Sequence, residues 1–233
     1  MNIYRRFKTI VCVSESVKHA FEKKFFTAPN VRIQYNPVDE AEIEKLSNET
    51  VELARPAEGI LLGTIGRLEE QKGYLRLVKA AAEVKKKGYA FTIWIIGQGS
   101  LQDEIEQDIE KYHLEEKIRL LGFQENPYKY LKQCDAFICS SYAEGFSTAA
   151  TESLLLEKPI FTVECAGMRE LFGEEACGEI VPNTDVSLEM LLENVVSGEY
   201  AFETYKAGLR ARKRAFTLDQ RMREIEALLA DDR

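Results

Sequence analysis

A doubly wound, parallel α/β sheet is the fold class predicted for this chain of 233 residues. Two observations predict it. Short apolar runs alternate strictly with helical patterns across short connections. The runs are also continuous, as expected of strands covered on both faces by crossover helices.

Strands are expected at 9–13, 31–35, 60–65, 91–96, 118–121, 136–139, 159–163 and 179–181. Helices are expected between them at 15–26, 40–53, 74–87, 101–112, 127–133, 148–156 and 186–196, with two more near 203–215 and 219–229. The rhythm breaks at Asn36-Pro37-Val38-Asp39, where Pro37 ends a strand and a polar, acidic, helical stretch follows to Glu58. The block from Gly59 to Ala215 carries six strands, enough for a complete nucleotide-binding sheet. The first 38 residues carry two strands and one helix, too little for an independent core. The expected division is therefore 1–38 as the tail of a larger unit, 39–58 as a linker, 59–215 as the main domain and 216–233 as a terminal helix.

An apolar content of 45% is sufficient for a real core, and a net charge of −8 excludes the basic surface of a nucleic-acid binder. The basic runs Lys85-Lys86-Lys87 and Arg210 to Arg214 read as solvated helix ends. Five cysteines without Cys-x-x-Cys spacing fit buried free thiols in a reducing compartment. Two histidines give a histidine-based metal site almost no material, so no metal is expected. No stretch has the length of a signal-peptide core or a membrane span, and a cytosolic location is expected.

The chemistry concentrates at strand ends. After the strand at 136–139 come Ser140-Ser141-Tyr142-Ala143-Glu144-Gly145-Phe146-Ser147 and a helix carrying Glu152. This order places Glu144 in the crevice at the carboxyl end of a parallel strand, where open α/β sheets bind ligands. The helix start beside it suits a phosphate. The bland reading of both carboxylates is that acids near a helix start complement its dipole. After the strand at 60–65, Gly66 permits a tight turn, and Arg67 and Lys72 emerge near the next helix, a bidentate donor and a mobile point charge suited to a diphosphate. Alone, that turn reads as ordinary solvated charge. Ile95-Ile96-Gly97-Gln98-Gly99 opens like a dinucleotide fingerprint, but Gln102 stands where the third glycine belongs, which argues against NAD. At the next strand end Gly122 leaves room for a flat base, and Phe123 is expected to pack. The functional reading rests on coincidence: all of these fall at carboxyl ends of parallel strands.

Taken together, the segment from about Gly59 to Val196 resembles the donor-binding domain of retaining glycosyltransferases of family 4, which have the two-lobed GT-B fold. Gly66-Arg67-Leu68 with Lys72-Gly73, Ile96-Gly97-Gln98-Gly99, Leu121-Gly122-Phe123, the Glu144-x7-Glu152 spacing, Lys158-Pro159-Ile160 and Gly167-Met168-Arg169-Glu170 carry the resemblance. It implies a Rossmann-like carboxyl-terminal lobe with an incomplete second lobe, of which residues 1–38 are the remnant. It implies that Arg67 and Lys72 neutralise the departing diphosphate, that Glu144 meets the donor sugar, and that Glu152 meets the ribose. The amides of Gly145, Phe146 and Ser147 would face sugar or phosphate, while Gly97, Gly99, Gly122 and Phe123 would frame the base. It further implies a nucleoside-diphosphate sugar as donor, a UDP-sugar first, without a metal or other cofactor. The acceptor would be a polysaccharide or lipid, reached at the inner face of a membrane. The amino-terminal lobe would come in trans or from a homo-oligomer, and this half would be inactive or weak alone. Two other readings stay open at this point: a non-catalytic interaction module needing a partner, and half of an NAD-dependent dehydrogenase.

Overall fold

The computed structural model describes residues 3–231. Residues 1, 2, 232 and 233, the outermost positions of the expected 1–38 and 216–233 units, lie outside the described residues. A small first unit contains β1 (Ile10–Cys12), α1 (Glu15–Lys24) and β2 (Val31–Ile33), whose strands pair in parallel. After α2 (Glu40–Ser47) come β3 (Ile60–Ile65), α3 (Tyr74–Lys86), β4 (Phe91–Ile96), α4 (Gln102–Lys111) and β5 (Ile118–Gly122). The second half holds α5 (Tyr128–Gln133), β6 (Ala136–Cys139), α6 (Thr148–Leu155), β7 (Ile160–Val163), α7 (Met168–Phe172), β8 (Gly178–Val181) and α8 (Asp185–Ser197). The chain finishes with α9 (Lys206–Lys213) and α10 (Leu218–Asp231).

The main sheet is parallel throughout, in the order β5-β4-β3-β6-β7-β8. The chain winds outward from β3 to β5, returns across β3 to β6, and winds outward the other way. The connections leaving β3 and β6 therefore diverge, and a crevice opens above their carboxyl ends, the topological switch point of a doubly wound sheet. Helices α3, α4 and α8 cover one face, and α2, α5, α6 and α9 pack together on the other. This double cover explains the continuous apolar strands. Every residue of β4 is buried, and Trp94, Phe91, Phe137, Phe161 and Tyr74 are less than 2% exposed. Each such side chain contributes about 1.5–3 kcal/mol of transfer free energy.

The first unit docks against α7 through polar contacts, and the Tyr35 ring packs on Phe146 at 4.8 Å. Glu15 N and Ser16 N, at the start of α1, donate to the two Glu170 carboxylate oxygens at 2.7 and 3.0 Å, and the Tyr35 hydroxyl donates to the same group at 3.1 Å. Burial works against this carboxylate, but the amide and hydroxyl donors hold its pKa below the usual value.

The structure corrects several expected boundaries. Helix α2 stops at Ser47, not 53. Ser47 Oγ and Asn48 Nδ2 both donate to the Glu44 carbonyl (2.8 and 2.7 Å), and the Asn48 amide turns to Lys45. The stretch 203–215 divides into a 3₁₀ turn (Phe202–Tyr205), α9, and a second 3₁₀ turn (Arg214–Phe216). Helix α7 was not anticipated, being too short for helical periodicity to register. All five cysteines are buried and free. Among the described residues, no helix is long and apolar enough to cross a membrane.

Candidate functional site

The crevice between β3 and β6 holds a cleft of about 360 Å³, and Gly66, Arg67, Lys72, Glu144, Phe146 and Glu152 line it together. Local geometry explains how one rim forms. A Cβ at Gly66 would lie 2.8 Å from Tyr74 Oη and 3.2 Å from Lys72 Cε, so only glycine leaves space for the lysine stem. Residues Glu70–Lys72 make a single 3₁₀ turn, closed by Gly73 at a left-handed φ of +66°. A side chain at Gly73 would meet Ser140 O at 2.1 Å. The two rims are thus in main-chain contact, and Tyr142 N donates to Gln71 O at 2.8 Å.

This closeness delivers the ion pair. Lys72 Nζ donates to Glu144 Oε1 at 2.8 Å, and Ser141 Oγ donates to the same oxygen at 2.5 Å. Glu144 Oε2 has no protein donor among the described residues. The Glu144 side chain is 7% exposed and Lys72 22%, so water screens the pair weakly. An ammonium has three donors, and one is used here. Arg67 is exposed at the cleft edge, and its guanidinium has no partner among the described residues.

The other rim is the start of α6. Ser147 caps the helix by accepting from Ala150 N at 3.3 Å, so its hydroxyl is committed to the fold. The first-turn amides at Thr148 and Ala149, two more cleft residues, have no partner within the helix. The amides of Gly145, Phe146 and Ser147 also lack a protein acceptor among the described residues. Glu152 lies one turn further, accepting from the Tyr128 hydroxyl at 3.0 Å. Burial pushes its pKa up to about 7, with the tyrosine bond opposing. Burial and the facing carboxylate raise the Tyr128 phenol as well.

Six other expected residues fall outside the cleft lining. Gly145 faces the first unit: its carbonyl accepts from Ser14 Oγ at 2.8 Å, and a Cβ there would touch Val13. Ser147 is the cap just described. Gly97 and Gly99 are needed because a Cβ would lie 2.0 Å from Gly66 O and 2.5 Å from Leu68 O respectively. Main-chain bonds join these loops: Leu68 N donates to Gln98 O (3.0 Å) and Leu101 N to Leu68 O (2.9 Å). An amide that would cradle a dinucleotide pyrophosphate at the start of α4 is therefore already taken. Gly122 ends β5 at φ +67°, where the register slips and Ile96 faces Gly122, passing over Leu121. Phe123, expected to pack, is 66% exposed instead, because β5 is an edge strand and this bulge turns the chain away from the sheet.

The sequence reading missed Arg76, Asn183, Ser141 and Tyr128. Arg76 is 4% exposed and bonds the carbonyls of Ser140 and Ser141 beneath Glu144. The available signal was one charge inside Tyr74-Leu75-Arg76-Leu77-Val78, and such charges on helices are usually solvated.

A parallel sheet with an ionic cleft at its switch point defines a Rossmann-like domain, and solved structures identify it as the type found in GT-B glycosyltransferases. A glycosyltransferase from Rickettsia africae superposes with a TM-score of 0.83 at 18% identity, over 97% of this chain and 63% of that one. Anabaena HepE in complex with UDP does so with a TM-score of 0.78 at 20% identity, over 97% and 65%. A family model described as glycosyl transferases group 1 matches residues 47–207, and the chain belongs to that family. It is 33% identical over 186 residues to the Campylobacter jejuni N-acetylgalactosamine-N,N'-diacetylbacillosaminyl-diphospho-undecaprenol 4-alpha-N-acetylgalactosaminyltransferase, covering 79% of this chain and 49% of the relative. An uncharacterized glycosyltransferase of Methanocaldococcus jannaschii is 30% identical over 177 residues, 74% of this chain and 44% of the relative. The chain spans about half the length of these two relatives.

Proposed function

We propose that this chain is the donor-binding half of a retaining, family 4 glycosyltransferase that transfers a hexose from a nucleoside-diphosphate sugar, a UDP-sugar first, to a polysaccharide or lipid-linked acceptor. One observation carries the reading: two cations, two carboxylates and the free amides of a helix start open into a single cleft. In this reading the bond between the anomeric carbon and the diphosphate oxygen breaks, and negative charge collects on the departing phosphate. Arg67 and Lys72 stabilise that charge, the task a metal ion performs elsewhere. Glu144 orients the sugar and Glu152 the ribose hydroxyls, while the amides at 145–149 meet the phosphate or sugar. The loops at Gly97–Gly99 and Gly122 frame the base, and the exposed Phe123 ring is available to it. The UDP-bound state of Anabaena HepE, a neighbour in fold, supports the choice of nucleotide.

In the same reading residues 1–38 belong to an acceptor lobe, 39–58 are a linker, 59–215 the nucleotide domain, and the segment from 216 on returns toward that lobe. Ile3, Phe7 and Val11 in the first unit are 61%, 53% and 49% exposed, apolar surface suited to the rest of that lobe or to a second copy. Transfer needs both lobes, and in this reading the enzyme works at the cytoplasmic face of a membrane. Calorimetric titration with UDP and a panel of UDP-sugars, with and without EDTA, tests the proposal. Saturable binding that survives EDTA within twofold and weakens at least tenfold in Arg67→Ala is expected. Absence of binding to every common nucleoside diphosphate and its sugars would sink it.

A further inference from the structure

Arg76 points away from the cleft, yet it is bonded to the loop that carries Glu144. Its Nε and Nη2 donate to Ser140 O and Ser141 O, both at 2.7 Å, and Nη1 donates to Asn183 Oδ1 at 2.8 Å. Asn183 Nδ2 returns to Tyr142 O at 3.1 Å, and the Tyr142 ring lies 4.0 Å from the guanidinium carbon. Three consecutive residues are thus fixed by one planar fork. The last β6–β7 register pair is Cys139 with Thr162, so the Ser140 and Ser141 carbonyls lie past the ladder and need donors from elsewhere.

A buried cation is an expensive way to supply two donors. The Arg76 side chain is 3% exposed, and its one nearby carboxylate, Asp185, stands 3.7 Å away and is 73% exposed. A guanidinium offers something a neutral donor does not, which is two parallel bonds and a flat face in fixed relation. What that fixes is Ser141, whose hydroxyl donates to Glu144 Oε1 at 2.5 Å. The sequence of contacts runs from Arg76 to the Ser141 main chain, then from the Ser141 side chain to the carboxylate facing the cleft.

We infer that Arg76 is a positioning residue for Glu144, and that it governs recognition of the donor sugar separately from the nucleotide. The inference rests on the donor-binding reading above. It is tested on the full chain with Arg76→Lys, which keeps charge but loses the fork, and Tyr142→Ala, which removes only the stacking ring. Tyr142 is 51% exposed, so its truncation leaves the core intact. Calorimetry gives Kd for UDP and for the UDP-sugar that binds the wild-type chain best, and the readout is the ratio of the two. In both variants the ratio should move at least about fivefold against the sugar, the size of one weakened hydrogen bond, while Kd for UDP stays within twofold. A merely structural arginine would lower the melting temperature and leave the ratio alone, and that result overturns the inference. So does equal weakening of UDP and UDP-sugar. If Arg76→Lys does not fold, an unchanged ratio in Tyr142→Ala overturns it alone. Failure of the wild-type chain to bind UDP is a separate outcome that removes the donor-binding reading and this inference with it.

Discussion

Lys72→Ala separates two roles that the cleft geometry combines in one ammonium. At 2.8 Å from Glu144 Oε1, the gross attraction is about 6 kcal/mol at an effective dielectric of about 20. Desolvation cancels much of that, and deleting one partner of a buried pair costs about 3–5 kcal/mol because the other charge is left uncompensated. Lys72 is 22% exposed, which places this case at about 3 kcal/mol. For a chain of this length the melting temperature should fall by about 6–12 °C. If the two remaining N–H donors also meet the diphosphate, losing charged hydrogen bonds worth about 1.5–3 kcal/mol should raise Kd for UDP about 10- to 150-fold. The double variant Lys72→Ala/Glu144→Gln distinguishes the roles, since the orphaned charge is gone while the diphosphate still lacks its cation. Thermal melts should recover at least half of the loss, and calorimetry should still show a Kd at least tenfold above wild type. A double variant that binds UDP within threefold of wild type would refute the reasoning, because Lys72 would then act only by neutralising Glu144.

Other perturbations follow from the same contacts. Glu152 has its folded-state pKa raised to about 7 from 4.5, so the folded state holds the proton more tightly, and stability falls as pH rises through that window. Glu152→Gln should flatten the dependence, gaining up to about 3 kcal/mol over wild type at pH 8 relative to pH 4 in chemical denaturation; parallel pH curves would contradict the assignment. Gly97→Ala places a Cβ 2.0 Å from Gly66 O at φ +142°, and should destabilise the chain by more than about 2 kcal/mol in thermal melts; a neutral substitution would show the two loops are not locked. Glu170→Ala removes the acceptor for Glu15 N, Ser16 N and Tyr35 Oη, so limited proteolysis should cut the first unit sooner. The Tyr35 phenol, raised to about 12 by burial first and Glu170 second, should titrate lower in that variant, and an unmoved titration would contradict the contact.

The fold was legible because its signal is long-range and repeated. Continuous apolar strands between helices reflect cover on both faces, and each strand from β3 to β8 lies where the pattern put it, give or take a residue. The crossing order was legible only as a class, since periodicity does not say which strand neighbours which. In the site, Arg67, Lys72, Glu144 and Glu152 stood out only together, because their segments all follow the carboxyl ends of parallel strands, and they do share one cleft. The glycines at 97 and 99 stood out too, but their tightest neighbours are the backbone of Gly66 and Leu68, which a linear reading cannot see. Phe123 was misread because a bulge in an edge strand depends on register, which local composition does not encode. Arg76 was invisible for the opposite reason: its residue type points to solvent, and only the surplus carbonyls past β6 draw it inside.

The seam between the Gly66–Leu68 and Gly97–Gly99 loops is made of amides and carbonyls, and just beyond it the Ser100 hydroxyl donates to Glu69 Oε2 at 2.9 Å. Its integrity depends on a few missing methyl groups, not on the identity of Arg67 or Gln98. Gln98 is open to solvent and can be exchanged without loosening the frame beneath. Directed evolution of ligand preference should therefore begin there, with the glycines left alone.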